Sequence, residues 1–431
     1  MAFPRLLFGR GYHLRATEAN DAESNYFLRN PFAAKALNLH DAKNLPMLKL
    51  PVYMDYNATT PCDPRVVEAM IPYFYDQFGN AASHSHAYGW MAAEAVAMAR
   101  EQVATLVGAG PEEIVFTSGA TESINLAIKG VFELYSGKGN HVVTCVTEHK
   151  AVLDTCHSLE RRGARVTYLP VNEKGALDLG ELEAAITPET ILVTVMAANN
   201  ETGYLHPLSA ISDMVHQKGC LLFSDATQAV GKVPFSVAAD GLDLMACSAH
   251  KLYGPKGTGV LYVRRKNPRV RLQPQMDGGG HEKGFRSGTL NVPGIVGMGA
   301  ACRLLGEQGA EASGSVTGLR DRLETALLAL GGVRVNGDTL RRLPHVTNLA
   351  FEDVDGRQLL TAVTKKVAVS SGSACTSALP EPSHVLQGMG LSPALAAASL
   401  RFSLGRFTTA EEIDFVIKVL GDELSVLRAE G

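Results

Sequence analysis

EIVFTSGATESINLAIKGVFELY, residues 113–135, reads as a short apolar strand, a turn of small residues and an amphipathic helix. The plan returns at once in HVVTCVTEH (141–149) followed by KAVLDTCHSLERRG (150–163). RVTYLPV (165–171), ILVTVMAANNETG (191–203), CLLFSDATQ (220–228), LDLMACSAHK (242–251) and GVLYVRR (259–265) supply five further β-like runs. Apolar strands alternating with amphipathic helices predict an α/β fold, with a mostly parallel seven-stranded sheet covered on both faces. Open sheets of this kind bind ligands beyond the carboxyl ends of their strands. Polar residues collect at those ends: Ser118 to Thr121, His149, Asn200, Asp225 with Gln228, and Ser248 to Lys251.

After about Gly306 the pattern changes. A helical stretch (316–330), GVRVNG (332–337), HVTNLAFED (345–353), LLTAVTKKVAVSSG (359–372), SLRFSLG (399–405) and a last helix from Thr409 predict a smaller α+β domain. The expected organisation is a large domain over 62–305, with 47–61 and 306–431 forming the small one. Residues 1–46 differ again. MAFPRLLFGRGYHLRAT places arginines at 5, 10 and 15 among apolar residues with no acid before Glu18, which predicts a mitochondrial presequence and a matrix location; a cytoplasmic extension is the alternative.

Composition narrows the function. A formal net charge of −4 argues against direct nucleic-acid binding. No apolar run approaches the length of about 18 residues that spans a membrane. Seven cysteines (62, 145, 156, 220, 247, 302 and 375) stand singly, with no CxxC pair, so neither a structural metal site nor a disulfide framework is expected. Cys145, Cys220 and Cys247 sit in or beside strands, as small core residues do.

Four strand ends carry chemistry. In CSAHKLYGPKGTGVLYV (247–263), Lys251 follows a strand directly and can form a Schiff base if its surroundings lower its pKa; alone it would read as a solvated loop lysine. In SDATQAVGK (224–232), Asp225 is placed to oppose a pyridinium nitrogen, although a lone DxxQ is as often a helix cap. FTSGATES (116–123) gives backbone N–H groups at a helix start, where a phosphate binds. His149 can stack on a ring and carry protons, where an isolated histidine is more often structural. A fifth stretch, SSGSACTSALPEPSHVL (370–386), sets Cys375 among small and polar residues with no core periodicity.

In this order, the pieces resemble a fold-type I pyridoxal-phosphate enzyme, and more closely the NifS/IscS-like cysteine desulfurases with a long catalytic-cysteine loop, of mitochondrial type. YMDYNATTP, FTSGATES, TEHKAVLDTC, NNETG, DATQAVGK, SAHKLYGPKGTG, GGGHEKGFRSGTL, SSGSACTSA and LRFSLGRFTT carry the likeness from about Pro51 to Leu427. The resemblance implies that Lys251 holds pyridoxal 5'-phosphate and later moves protons, that Asp225 pairs with the ring nitrogen, and that Gln228 bonds the phenolic oxygen. His149 would stack over the ring as acid–base group. Ala120, Thr121, Ser248 and His250 would bind phosphate, joined by Thr289 from the second subunit of a homodimer. Arg401, helped by Asn200, would clamp the carboxylate of the substrate L-cysteine. Cys375 would attack the substrate's sulfur, keep it as a persulfide and release L-alanine. The sulfur would pass to an iron–sulfur scaffold or a tRNA-thiolation protein, with a small accessory protein as a further partner. Two departures stand out: Ala81 where the family usually has proline, and an ending at LSVLRAEG (424–431), short of the tail by which relatives dock a scaffold. Selenocysteine lyase, with the same fold and cofactor, is the alternative reading.

Overall fold

The computed structural model describes residues 48–308, 311–371 and 382–430. Residues 1–46 and Cys375 lie outside them. The compact unit runs from Leu50 to Gly431.

Its centre is a seven-stranded sheet made of β2 (Ile114–Thr117), β3 (His141–Cys145), β4 (Arg165–Leu169), β5 (Thr190–Thr194), β6 (Leu221–Asp225), β7 (Leu244–Ser248) and β8 (Gly259–Val263), preceded in the chain by a short β1 (Val52–Tyr53). The spatial order is β2-β8-β7-β6-β5-β3-β4. Only β8 opposes its neighbours, β2 and β7, so the remaining strands all point one way. Alternation along each strand builds two cores at once. Phe116, Met245, Cys247 and Tyr262 face the helices Ala87–Val107, Leu208–Gln217 and Val292–Gln308. Val115, Leu244, Ala246 and Leu261 face Ala120–Tyr135 and Lys150–Glu160. Cys145, Cys156, Cys220, Cys247 and Cys302 are all buried, as the strand pattern predicts for the three that lie in or beside strands.

A second sheet of β9 (Val333–Val335), β10 (Val346–Phe351) and β12 (Ser399–Ser403) is antiparallel, with β10 in the middle. Short β11 (Val367–Ala368) pairs in parallel with β1, which brings the beginning of the compact unit to its last third. Helices Glu311–Leu328 and Ala410–Glu430 close a separate core of Val52, Met54, Leu323, Phe351, Phe402 and Ile413. The last helix begins with a reciprocal cap: Glu412 N–H donates to Thr409 Oγ1, and Thr409 N–H donates to the Glu412 carboxylate.

One ion pair ties a remote loop to the main sheet. Arg100 meets Glu282 with both guanidinium nitrogens, at 2.9 and 2.6 Å, and also donates to the Ile114 carbonyl at 2.6 Å. Glu282 Oε2 in turn accepts from Phe116 N–H at 2.8 Å, so the loop leading to Thr289 is held at edge strand β2. Removing the cation strands a carboxylate whose side chain is 1 % exposed. Arg100→Met should therefore destabilise the fold by about 3 kcal/mol in chemical denaturation. Adding Glu282→Gln should restore part of that loss; a single-variant loss under about 1 kcal/mol would show that the pair does not hold the loop.

Candidate active site

A cavity of about 590 Å³ opens at the carboxyl ends of the parallel strands. Ala120, Thr121, His149, Asn200, Asp225, Gln228, Ser248, His250, Lys251 and Arg401 all line it. Thr289 is exposed and is not among the lining residues, although Arg286, three residues earlier, pairs with the cavity residue Glu122 at 2.8 Å. Cys375 lies outside the described residues, but the chain on either side is tied to residues that line this cavity or adjoin its lining. Ser370 pairs with Arg401 in a backbone bridge. Ser383 Oγ donates to buried Glu201, and His384 Nε2 meets the Glu148 carbonyl at 3.0 Å.

One end of the cavity is the start of helix Ala120–Tyr135. Gly119 supplies no side-chain cap, and its φ of 153° is a conformation side chains avoid. A Cβ on Gly259 of β8 would stand 2.6 Å from the Gly119 Cα, so the strand passes too close for any other residue there. The result is an uncapped helix N-terminus facing a cavity, a natural seat for phosphate. Ser248 borders it, with Oγ 3.5 Å from the Thr258 carbonyl. His250 Nδ1 lies 3.1 Å from Thr59 Oγ1, and burial together with nearby Lys251, Lys256 and Lys232 lowers the ring's pKa to about 4. A neutral ring offers phosphate a hydrogen bond rather than a charge.

Asp225 ends β6, is 6 % exposed, and accepts from Thr227 N–H at 3.0 Å. Gln228 donates to the Asn57 carbonyl at 3.0 Å. Lys251 donates to that same carbonyl and, at 2.6 Å, to the Ala58 carbonyl. Desolvation, with the Arg401 charge behind it, lowers the Lys251 pKa to about 8. His149 caps helix Lys150–Glu160, its Nδ1 accepting from Ala151 N–H at 3.1 Å, which leaves Nε2 for proton exchange. Arg401 is anchored on β12 between Asp55, at 2.6 Å, and the Asn200 carbonyl, at 2.8 Å.

Several site residues carried no signal of their own. Asn57 acts through its backbone carbonyl, which no side-chain reading reveals. Its side chain also donates to the Asn200 carbonyl and meets His345 Nε2 at 2.9 Å. Asp55, the counter-ion of Arg401, stands in YMDYNATTP straight after β1, where a polar run following a strand is a usable cue. Glu148 is wholly buried under His149; it accepts from Met196 N–H, and its Oε2 has no partner. Burial and nearby Asp225 both push its pKa well above the ordinary carboxylate value.

These residues fit pyridoxal phosphate. The cavity holds an uncapped helix end for the phosphate, a buried carboxylate for the ring nitrogen and a lysine with a lowered pKa. The buried Asn200 Oδ1 and Thr227 Oγ1 find no partner among the described residues, as expected of polar atoms placed for a ligand. When bound, the cofactor supplies an electron sink that weakens the bond from the substrate's Cβ to its sulfur. Because the neutral amine of Lys251 is the competent form, covalent uptake of the cofactor by apoprotein should accelerate as pH rises through about 8. A stopped-flow absorbance series in which the rise is centred instead near the ordinary lysine value of 10.5 would show that the site does not tune this amine.

Comparison with known proteins gives one answer. Residues 52–416 match the aminotransferase class-V family. The chain is 58 % identical over 383 residues to the cysteine desulfurase IscS of Anaeromyxobacter dehalogenans (strain 2CP-C), covering 88 % of this chain and 94 % of that protein. It is 54 % identical, with the same coverage, to the cysteine desulfurase IscS of Escherichia coli O139:H28. Among solved structures, a NifS-like protein superposes with a TM-score of 0.82 at 38 % identity, over 88 % of this chain and all of that one. SspA in complex with cysteine superposes with a TM-score of 0.74 at 36 % identity, over 83 % of this chain and 99 % of that one. Cysteine, and not selenocysteine, is the substrate these matches favour. With its lysine, carboxylate and arginine gathered on one cavity, the chain belongs to the cysteine desulfurases of the aminotransferase class-V family, which depend on pyridoxal phosphate.

Proposed function

We propose that this enzyme works as a homodimer that moves the sulfur of L-cysteine onto Cys375 and from there to an iron–sulfur scaffold. The observation that supports the reading is where the two flanks of the Cys375 segment are tied: Ser370 to the lining residue Arg401 on one side, and Ser383 and His384 to Glu201 and Glu148, the chain neighbours of the lining residues Asn200 and His149, on the other. Arg401 holds the substrate carboxylate in a two-pronged grip, with Asn200 beside it. Lys251 and His149 exchange protons with the substrate's carbons. Cys375, as thiolate, would form a bond to the substrate sulfur while the Cβ–S bond breaks, the electron pair of that bond staying with the substrate's carbon skeleton. Protonation at Cβ completes L-alanine. One cysteine and one enzyme thiol thus become one alanine and one enzyme persulfide, with no external oxidant.

A dimer is supported by an uncovered apolar surface. Phe74, Tyr75, Phe78 and Trp90 are each more than half exposed, and the rings of Phe78 and Tyr88 stand 5.3 Å apart. A folded protein leaves so large an aromatic patch for a partner. In this reading Thr289, exposed on one protomer, completes the phosphate seat of the other. The matrix location rests on the basic, acid-poor first 17 residues. A tRNA-thiolation protein is a second acceptor for the same persulfide, by the same transfer chemistry.

Alanine and sulfide formation from cysteine should fall to background in Cys375→Ala, and the persulfide should vanish from its mass spectrum. Undiminished cysteine turnover without Cys375 would remove that residue as carrier. For the dimer, Lys251→Ala and Thr289→Ala proteins should each be inactive or impaired, and their mixture should recover up to about half of wild-type activity per dimer as heterodimers form. No recovery on mixing would place Thr289 in its own subunit's site.

A further inference from the structure

Lys232 closes the motif that begins with Asp225 but has no part in the chemistry above. It is not among the residues lining the cofactor cavity; it borders a separate cavity of about 70 Å³ with Gly231, Tyr253 and His345. The residue keeps some surface, while its amine end is enclosed. From there Nζ reaches back four residues and donates to Gln228 Oε1 at 2.6 Å. The other half of the same amide, Gln228 Nε2, donates to the Asn57 carbonyl at 3.0 Å. Turning the amide over would set its oxygen against the Asn57 carbonyl, acceptor to acceptor, and would take from the Lys232 amine the acceptor it now donates to.

An amide nitrogen has two hydrogens, and Asn57 takes one. The second is the only further donor the Gln228 side chain can offer the cavity, and it is held there by this orientation. We infer that Lys232 is a positioning residue for the cofactor: it fixes the Gln228 amide so that an N–H faces the ring oxygen of pyridoxal phosphate. The inference rests on the reading of Gln228 as donor to that oxygen. The cations acting on the Lys232 amine are Lys251 and Arg401, and its own charge acts on the rings of His250 and His345. A direct charge effect on the cofactor is therefore the rival explanation that a test must separate.

The measurement is a pH titration of the visible absorption of the purified holoenzyme. A donor at the ring oxygen stabilises its negative charge and lowers the proton affinity of the chromophore, so losing it moves the midpoint upward. Gln228→Ala and Lys232→Met should each raise the midpoint by about one pH unit, the effect of one hydrogen bond to a charged group. The double variant should match Gln228→Ala to within about 0.3 unit, because Lys232 acts through the amide. No shift in Gln228→Ala would overturn the reading of Gln228. A shift in Gln228→Ala with none in Lys232→Met would overturn the role of Lys232 alone. A full further shift from Lys232→Met on the Gln228→Ala background would show charge, and not amide orientation, to be the agent. Lys232→Leu replaces the methionine variant should that one fail to fold, and failure of both would make Lys232 a folding residue and overturn the assignment.

Discussion

The carbonyl of Asn57 holds the site together. It accepts from Lys251 and from Gln228, while the side chain of the same residue reaches Asn200 and His345. The lysine and glutamine follow strands of the large sheet and His345 stands on the approach to β10, so one residue joins the wall that carries cofactor chemistry to the small sheet that carries Arg401. Asn57 is held in turn, since its own N–H donates to Ser403 Oγ at the end of β12. A shift of the small sheet is thereby felt at the lysine through two hydrogen bonds. Near-attack geometry tolerates errors of about 1 Å poorly, and this coupling keeps substrate grip and cofactor in register.

Electrostatics divides the cavity. Three amines and a guanidinium, Lys251, Lys256, Lys232 and Arg401, meet in or around a space meant for a phosphate and a carboxylate. Desolvation, with repulsion from Arg401 added, lowers the Lys251 pKa. Two anionic ligands would relieve that repulsion, so affinity for them is built in before any hydrogen bond is counted. Glu148 shows the converse. Burial and the nearby Asp225 charge both push its carboxyl toward the neutral form, against a second negative charge beside Asp225.

Much of this was legible in the sequence, for physical reasons that differ by residue. Six strands of the main sheet fall within the apolar runs and β5 starts one residue ahead of its run, at Thr190, because a buried strand must be apolar on both faces. The site residues at strand ends could be read because the fold rule puts ligands there, which recovered Asp225, Lys251 and His149. Arg401 lies inside a strand of the small sheet and stood out only through family likeness. Asn57 and Lys232 were silent. One acts by a main-chain oxygen that every residue possesses, and the other sits behind the residue it orients. Neither role leaves a mark on residue type or spacing.

The buried thiols bear on a problem every sulfur-handling enzyme faces. A persulfide gives its outer sulfur to any competent thiolate within reach. Each of the six described cysteines has its thiol pKa raised by burial, Cys145 to about 11 and Cys156 and Cys302 to about 12. At neutral pH these groups stay protonated and unreactive. The fold thereby acts as chemical insulation: a persulfide on this enzyme meets no competing acceptor among these six thiols.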